Sequence, residues 1–294
     1  MNNYSKILIT GGNGQLSTSL IHHPMAKSFC MISCSKREMD ISNPHHVQRI
    51  IEMQKPSVII NTAAYTAVDL AEDEQSSALI ANRDGAKILA EQCKDFNVPL
   101  IHFSTDYVFD GEKNSPYTEE DSTHPLNFYG QSKLLGEEAI RNTWEKHIIL
   151  RISGVFSEYK TNFVKTILRL ASEREQLSIV DDQITCPTST TDIATAILMI
   201  LQQQLHWGTY HFCSNEAVSW HVFACALLNE AKQFKPFKVN EVIAISSEQY
   251  KTKAKRPLYS VLGCKKIENI FGINQPSWKN AIKIIIPKLL RSMP

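Results

Sequence analysis

"KILITGGNGQLSTSL", residues 6–20, is the stretch that decides the fold. A short apolar run is followed at once by a glycine-rich turn and then by apolar residues at helical spacing. Gly11 and Gly14 stand where the chain must turn tightly, and backbone N–H groups in such a turn can approach a pyrophosphate. The third glycine usual in this motif is here the small residue Ser17. A glycine turn alone can be purely structural, but its place between a strand and a helix favours dinucleotide binding.

The same alternation of strands and helices continues through the first half of the chain. The candidate strands are continuous apolar runs, as expected for strands covered on both faces. They are residues 6–10, 29–34, 57–64, 99–105 and 147–153. Residues 76–97 carry apolar side chains at helical spacing. This alternation predicts an α/β protein with a doubly wound, parallel, Rossmann-like sheet.

The alternation of strands and helices becomes less regular after about residue 155, where a helix at 162–174 and a strand at 208–212 are separated by turn-rich segments. We expect this half to complete the sheet in part and to form a smaller C-terminal α/β lobe that binds the substrate. The predicted dinucleotide-binding domain comprises residues 1–155 and about 188–236, and the substrate-binding lobe comprises about 156–187 and 237–294.

Composition excludes several classes of function. The formal net charge is +1 with no long run of either sign, which argues against nucleic-acid binding. No segment reaches the ~18 apolar residues of a membrane span, and residues 1–10 lack the apolar core of a signal peptide. The apolar run 281–290 is short and contains a proline, which favours a docked helix. Seven cysteines without a Cys-x-x-Cys pair indicate a reduced, cytoplasmic compartment, and no His/Cys spacing predicts a metal site.

Ligands of open α/β sheets bind beyond the carboxyl ends of the strands, so the residues after each strand matter most. The second candidate strand is followed by Ser35, Lys36 and Arg37, where NAD-binding proteins usually carry an acidic residue. Cations and hydroxyls suit a 2′-phosphate, which favours NADP(H), with NAD(H) as the alternative. Lys36 and Arg37 are otherwise simply solvated charges. Asp40 and Ile41 are candidates to flank the adenine, although Asp40 is equally suited to cap a helix.

Small or polar residues also follow the third and fourth strands. Ala63 and Ala64 leave room for a cofactor, although alanines there can equally serve core packing. Thr105 is placed to hydrogen-bond a substrate carbonyl, and Asp106 and Tyr107 are placed to contact a polar ligand. The competing interpretation is a capping or turn role, because Asp-Gly at 110–111 marks a turn.

Tyr129 and Lys133, in "YGQSK", are four residues apart and share one face of a predicted helix. A phenol has a pKa near 10 and is a poor acid–base group at neutral pH. A nearby ammonium group lowers that pKa, and the same lysine can hydrogen-bond a ribose hydroxyl. The pair is therefore a candidate general acid with its tuning partner.

The ordered motifs resemble the extended short-chain dehydrogenase/reductase superfamily, and within it the dTDP-4-dehydrorhamnose reductase family. The motifs are "TGGNGQL" (10–16), "NTAAYTAVDLAE" (61–72), "STDYVFDG" (104–111), "YGQSK" (129–133) and "VDDQITCPT" (180–188). The likeness runs over nearly the whole chain and includes "NFVKTILRLA" (162–171) and "RPLYSVL" (256–262). Each motif is common, whereas the ordered set is specific.

The resemblance implies a role for each matched residue. Tyr129 would protonate the C4 oxygen of a sugar as hydride arrives from the nicotinamide, and Lys133 would tune Tyr129 and hold the nicotinamide ribose. Thr105 would hydrogen-bond the substrate carbonyl. Asp106 would contact the substrate, and Tyr107 beside it follows the reductase pattern, since family 4,6-dehydratases carry Asp-Glu there. The residues matched to the cofactor are Gly14, Gln15, Leu16, Ala63, Ala64 and Tyr65.

We therefore expect an NADP(H)-preferring oxidoreductase that reduces the C4 keto group of a nucleotide-linked 4-keto-6-deoxy sugar, such as dTDP-4-dehydrorhamnose. Gly154 stands where the family often has a tryptophan near the nucleotide base, so the sequence leaves the base and sugar open. The alternatives are another sugar-nucleotide reductase or epimerase, and a non-catalytic NADP-binding subunit like the regulatory subunit of methionine adenosyltransferase. A homodimer is expected only through the resemblance.

Overall fold

The computed structural model describes residues 6–292, which contain twelve strands and ten α-helices. The strands are β1 (Lys6–Thr10), β2 (Cys30–Cys34), β3 (Val58–Asn61), β4 (Leu100–Thr105), β5 (His147–Ile152), β6 (Val155–Phe156), β7 (Gln176–Val180), β8 (Ile184–Thr185), β9 (Thr188–Ser189), β10 (Gly208–Phe212), β11 (Val218–Ser219) and β12 (Glu241–Ile245). The helices are α1 (Gln15–His22), α2 (Pro44–Gln54), α3 (Gln75–Leu79), α4 (Gly85–Asp95), α5 (Phe128–Thr143), α6 (Phe163–Glu173), α7 (Thr190–Leu201), α8 (Trp220–Ala231), α9 (Lys265–Phe271) and α10 (Trp278–Ser292).

Six parallel strands form the central sheet in the order β10-β5-β4-β3-β1-β2. Strand β1 pairs with β2 on one side, with Ile7 opposite Met31, and with β3 on the other, with Ile7 opposite Val58. The chain therefore adds β2 on one side of β1 and the later strands on the other side. At this change of side, a crevice opens between the carboxyl ends of β1 and β3. The predicted doubly wound parallel sheet is confirmed.

Helices cover both faces of this sheet because its strands are apolar on both sides. One face packs against α1, α7 and α9, and the other packs against α2, α4 and α5. The predicted helix at 76–97 is present, but its regular turns are interrupted by a π-helical segment, Ile80–Asp84. None of the helices in the described part of the chain is long and apolar enough to span a bilayer.

Helices α6, α8 and α10 pack around a separate apolar cluster that includes Phe156, Phe223 and Trp278. The parallel pair β7 and β12 lies beside them. The C-terminal apolar run docks here as part of α10, with Pro287 inside the helix. Helix α7 packs instead on α1, and α9 packs on β10. We therefore propose that the second lobe contains α8 and lacks α9, so that its boundaries interleave more than the sequence indicated.

Candidate active site

The turn after β1 is built to bring backbone close to a ligand. Gly11 has φ +68°, and a Cβ there would lie 2.7 Å from the Ala63 nitrogen, so only glycine fits. The Ser17 hydroxyl donates to the Gly11 carbonyl at 2.9 Å, so this residue closes the turn where the motif usually has glycine. Gly14 is the N-cap of α1 and supplies no side-chain capping bond. The first N–H groups of α1 are thus left for an anion such as a pyrophosphate.

A cavity of about 410 Å³ opens beyond the carboxyl ends of the central strands. Nine of the predicted site residues meet in its wall, together with Gly154: Gly14, Gln15, Leu16, Ala64, Thr105, Asp106, Tyr107, Tyr129 and Lys133. The sequence did not single out four further lining residues: Gln183, Thr185, Trp220 and Ser260. The cavity therefore gathers the strand ends, the glycine turn and the Tyr–Lys pair into one site.

Thr105 and Tyr129 are in direct contact within this cavity. Their hydroxyl groups hydrogen-bond each other, and the Tyr129 ring meets the Tyr107 ring edge to face at 6.1 Å between centroids. Burial raises the pKa of Tyr129 to about 12, and the Thr105 hydrogen bond opposes that rise. Tyr129 therefore carries its proton throughout the neutral range.

Lys133 is 2% exposed and lies on the same face of α5 as Tyr129. Its Nζ donates to the Phe103 carbonyl at 2.6 Å and lies 3.2 Å from His102 Nε2. Burial lowers the pKa of Lys133 to about 8, against an opposing attraction from Glu137. The expected lowering of the Tyr129 pKa by Lys133 is wrong for the ligand-free protein. The Lys133 Nζ is directed toward the Phe103 carbonyl, and desolvation of the phenol dominates.

Asp106 is buried between two parts of the chain. Its Oδ2 accepts from the Ser153 hydroxyl at 2.8 Å, and its Oδ1 accepts from the Thr105 hydroxyl at 3.1 Å. A hydrogen bond from Ser260 adds to these, yet burial raises the pKa of this carboxyl group. Asp106 thus ties the end of β4 to the segments carrying Ser153 and Ser260, which keeps Thr105 in place.

The start of α5 is fitted against the end of β4. The Asn127 side chain caps the helix by accepting from the Gly130 N–H at 2.8 Å, and it donates to the Lys255 carbonyl. A Cβ at Gly130 would lie 2.2 Å from the Tyr107 carbonyl oxygen. Only glycine therefore allows the close approach that places Tyr129 beside Thr105.

A second cavity, of about 670 Å³, adjoins the first and shares Val68, Tyr107, Gln183 and Trp220 with it. Its wall contains two cations and four aromatic rings: Arg174, Arg256, Tyr107, Phe163, Trp220 and Tyr250. The Arg256 guanidinium pairs with Asp69 at 2.7 Å, and the Phe163 and Trp220 rings lie 4.6 Å apart. This cavity can accept a molecule that carries both negative charge and a flat ring.

Gly154 lies in the wall of the first cavity, which Tyr129 and Lys133 also line. It has φ +55°, and a Cβ there would lie 2.9 Å from Pro187 Cα. The tight turn against Pro187 therefore explains why no aromatic side chain stands at this position. Trp220, from the start of α8, supplies an aromatic ring to the same cavity.

The residues after β2 lie apart from these cavities. Lys36 and Arg37 are exposed, and neither has an ion-pair partner among the described residues. The Ser35 N–H and hydroxyl donate to Glu38, an acidic residue that the sequence interpretation overlooked. The free cations at this strand end are suited to a 2′-phosphate.

Five predicted cofactor residues lie outside the walls of both cavities. Gly11 and Ala63 pack against each other behind the cavity. The Tyr65 side chain is directed away from it, because its hydroxyl donates to Glu74 at 2.9 Å. Asp40 accepts from Ser42, and Ile41 is buried in the apolar core, so neither lines a cavity described above.

The overlooked lining residues come from distant parts of the sequence. Gln183 and Thr185 lie in "VDDQITCPT", and Ser260 lies in "RPLYSVL", two stretches already quoted for their resemblance. Their residue types are ordinary in loops, so only the folded chain shows that they line the same cavity as Tyr129. The described residues contain no cluster of three or more His, Cys, Asp or Glu side chains suited to a metal.

Known proteins resemble this chain over nearly its whole length. Residues 5–291 match the sequence model of the family described as RmlD substrate binding domain. The chain is 44% identical over 288 residues to the dTDP-4-dehydrorhamnose reductase of Aggregatibacter actinomycetemcomitans, covering 96% of this chain and 98% of that protein. The crystal structure of dTDP-4-dehydrorhamnose reductase from Bacillus anthracis in complex with NADP is 35% identical, with a TM-score of 0.91 and coverage of 97% of this chain and 99% of that chain. The UDP-glucose 4-epimerase of Thermus thermophilus, in complex with NAD, is 17% identical with a TM-score of 0.82, covers 98% of this chain and 100% of that chain, and shares the fold.

Proposed function

Because the chain belongs to the RmlD substrate binding domain family, we propose that it is an NADPH-dependent reductase of a nucleotide-linked 4-keto-6-deoxy sugar, converting dTDP-4-dehydrorhamnose to dTDP-L-rhamnose. Its relatives of that name match it over nearly its whole length, and the Bacillus anthracis relative holds NADP. The observation that carries the proposal is the meeting of Thr105, Tyr129 and Lys133 in one cavity.

The residues present fit the cofactor. The turn at Gly14 and the open N-terminus of α1 would hold the pyrophosphate, and Lys36 and Arg37 would hold a 2′-phosphate. Lys133 would reach the nicotinamide ribose from the wall of the cavity. When bound, NADPH supplies the hydride for the reaction.

Tyr129 supplies the proton. As hydride reaches C4, the carbonyl π electrons move onto the C4 oxygen, which takes the proton of the Tyr129 hydroxyl and becomes an alcohol. Because burial raises the pKa of Tyr129 to about 12, the proton is in place at neutral pH. Thr105, which hydrogen-bonds the Tyr129 hydroxyl, is placed to orient the substrate carbonyl toward it. Tyr129 then recovers a proton from solvent.

The second cavity would hold the nucleotide half of the substrate. Arg174 and Arg256 suit the diphosphate, and the Phe163 and Trp220 rings suit a planar base. The cavities meet at Trp220 and Tyr107, so one molecule can place its sugar beside Tyr129 and its base beyond Trp220. This arrangement supports the nucleotide-sugar class of substrate. The homodimer stays a prediction.

An assay of NADPH oxidation tests the proposal. Purified protein is mixed with NADPH and dTDP-4-dehydrorhamnose, and the nicotinamide absorbance is followed, with UDP- and GDP-linked 4-keto-6-deoxy sugars in parallel reactions. We expect turnover with the dTDP-linked sugar and little with the others. Tight NADPH binding without oxidation of NADPH by any of the keto sugars would instead favour the non-catalytic subunit.

A further inference from the structure

Behind Lys133, a chain of buried polar side chains crosses the central sheet. Thr10 on β1, Asn61 on β3 and His102 on β4 are each no more than 1% exposed. The Thr10 hydroxyl donates to Asn61 Oδ1 at 2.6 Å, Asn61 Nδ2 lies 2.9 Å from His102 Nδ1, and His102 Nε2 lies 3.2 Å from Lys133 Nζ. The proposed mechanism uses Lys133 alone of these four residues.

The direction of these hydrogen bonds follows from a single backbone group. The Ala63 N–H, which can only donate, lies 3.1 Å from Asn61 Oδ1 and so fixes that atom as the amide oxygen. Asn61 Nδ2 must then donate to His102 Nδ1, which leaves Nδ1 without a proton. A neutral imidazole in this state carries its proton on Nε2, which faces Lys133.

An Nε2–H group directed at Lys133 suits only one form of the lysine. An ammonium group has no lone pair and cannot accept a hydrogen bond, so its N–H groups and the imidazole Nε2–H would face each other as two donors. A neutral amine accepts from Nε2–H and still donates to the Phe103 carbonyl at 2.6 Å. We propose that His102 is a positioning residue that favours the neutral amine form of Lys133 over the ammonium form in the ligand-free protein.

The charged groups around His102 and Lys133 do not reverse the preference for a neutral lysine. Glu137, one turn along α5, attracts a proton to Lys133, but two arginines, Arg141 and Arg151, already pair with its carboxylate. Asp106 faces Tyr129, and burial raises the pKa of both groups. His147 faces His102 on the far side, and its repulsion joins burial and Lys133 in lowering the pKa of His102. Burial also lowers the pKa of Lys133, to about 8.

The role of the His102–Lys133 pair in catalysis rests on the proposed function. A neutral Lys133 cannot stabilise a tyrosinate, whereas an ammonium group can stabilise the tyrosinate that forms when Tyr129 gives up its proton. The ribose hydroxyls and the negative charge of NADPH would then favour the ammonium form. Lys133 would take up a proton from solvent as the cofactor binds.

The tautomer of His102 can be observed without any ligand. Long-range ¹H–¹⁵N correlation spectra of ¹⁵N-histidine-labelled wild-type protein distinguish a protonated Nε2 from a protonated Nδ1. The His102 signals are identified by their loss in His102→Met. We expect a bare Nδ1 and a protonated Nε2 from pH 6 to 9. A protonated Nδ1 would overturn the proposal, whether or not the protein reduces any sugar.

The charge of Lys133 is followed by its ¹³Cε signal during a pH titration of the ligand-free protein, assigned with Lys133→Met. We expect a midpoint at or below about 8 in the wild type. His102→Met should raise it by about one pH unit, because the imidazole proton no longer opposes the ammonium group. Thr10→Val is the matched control, since Ala63 still orients Asn61, and its midpoint should stay at the wild-type value. A midpoint that is unchanged or lower in His102→Met would overturn the proposal.

Discussion

Tyr129 is the residue on which the proposed proton transfer depends. Tyr129→Phe keeps the ring and its contact with Tyr107 but removes the proton donor. We expect kcat to fall roughly 10²–10⁴-fold, the usual contribution of a general acid. The affinity for NADPH should change little. Nicotinamide absorbance measures kcat, and nicotinamide fluorescence measures the affinity. Tyr210→Phe removes a hydroxyl far from the cavity and is the control. A Tyr129→Phe enzyme with the wild-type rate would exclude Tyr129 as the acid.

Lys36 and Arg37 determine the predicted preference for NADP(H). Charge-assisted hydrogen bonds to a phosphate contribute about 1.5–3 kcal/mol each, so replacing both residues by alanine should weaken NADPH binding at least tenfold. NADH lacks the phosphate, and its Kd should stay within about twofold of wild type. Fluorescence titrations measure both constants, with the exposed Lys94→Ala as a charge-matched control. Equal losses for the two cofactors would show that these cations do not contact the 2′-phosphate.

Trp220 is the aromatic residue at the junction of the two cavities. Trp220→Ala should raise KM for the nucleotide sugar about fivefold or more, because an aromatic contact contributes roughly 0.5–1.5 kcal/mol beyond its buried area. Trp220→Phe should recover most of this loss. Steady-state kinetics with varied sugar concentration measure the effect, and Trp207→Ala, which lies outside both cavities, is the control. An unchanged KM in Trp220→Ala would place the substrate elsewhere.

At the scale of elements, the fit of α5 against the end of β4 sets the distance between Thr105 and Tyr129. Gly130→Ala would put a methyl group 2.2 Å from the Tyr107 carbonyl. We expect a loss of about 1–3 kcal/mol in the free energy of unfolding, typical of overpacking, together with a lower kcat. Urea unfolding and NADPH oxidation measure the two effects. Gln131→Ala, on the exposed side of the same helix, should leave both unchanged. Wild-type stability in Gly130→Ala would mean that the contact is loose.

The elements themselves could be predicted from the sequence because their signals are local. Five of the six central strands lie in continuous apolar runs, and each of the six begins within two residues of its predicted start. The π-helical interruption at Ile80–Asp84 could not be predicted, because it depends on tertiary contacts. Asn82 there bonds the Tyr65 backbone and Ser132, residues far from it in sequence.

The candidate site, like the fold, could be predicted from the sequence only in part. Thr105 and Tyr129 could be proposed from the sequence because each stands in a motif with a chemical reason, and the structure places both in the wall of one cavity. The direction of the Tyr129 pKa was wrong, because the number of residues between Tyr129 and Lys133 says nothing about where the ammonium group is directed. Trp220 and Ser260 were missed because they reach the cavity from the second half of the chain.

At the scale of the whole molecule, the interior holds ionisable groups whose state couples folding to pH. Beneath the site, Arg151 forms two hydrogen bonds to the buried Glu137 carboxylate, and Arg151 Nη1 lies 3.4 Å from His211 Nε2. His211 Nδ1 lies 3.0 Å from the Tyr117 carbonyl, so the neutral imidazole donates there and accepts from Arg151. Burial and the arginine lower the pKa of His211 to about 3. The folded protein therefore keeps this histidine neutral.

The unfolded chain binds a proton at His211 below its ordinary pKa of about 6.5, and the folded protein does so only below about 3. Between these values the unfolded state holds more protons, so stability must fall as the pH falls, by about 1.4 kcal/mol per pH unit from this group. His211→Gln cannot be protonated and should reduce the slope of unfolding free energy against pH by that amount. Urea unfolding at pH 7, 6 and 5 measures the slopes, with the exposed His45→Gln as the control that keeps the wild-type value. If His211→Gln and wild type lose stability in parallel from pH 6 to 5, His211 is already protonated in the folded protein.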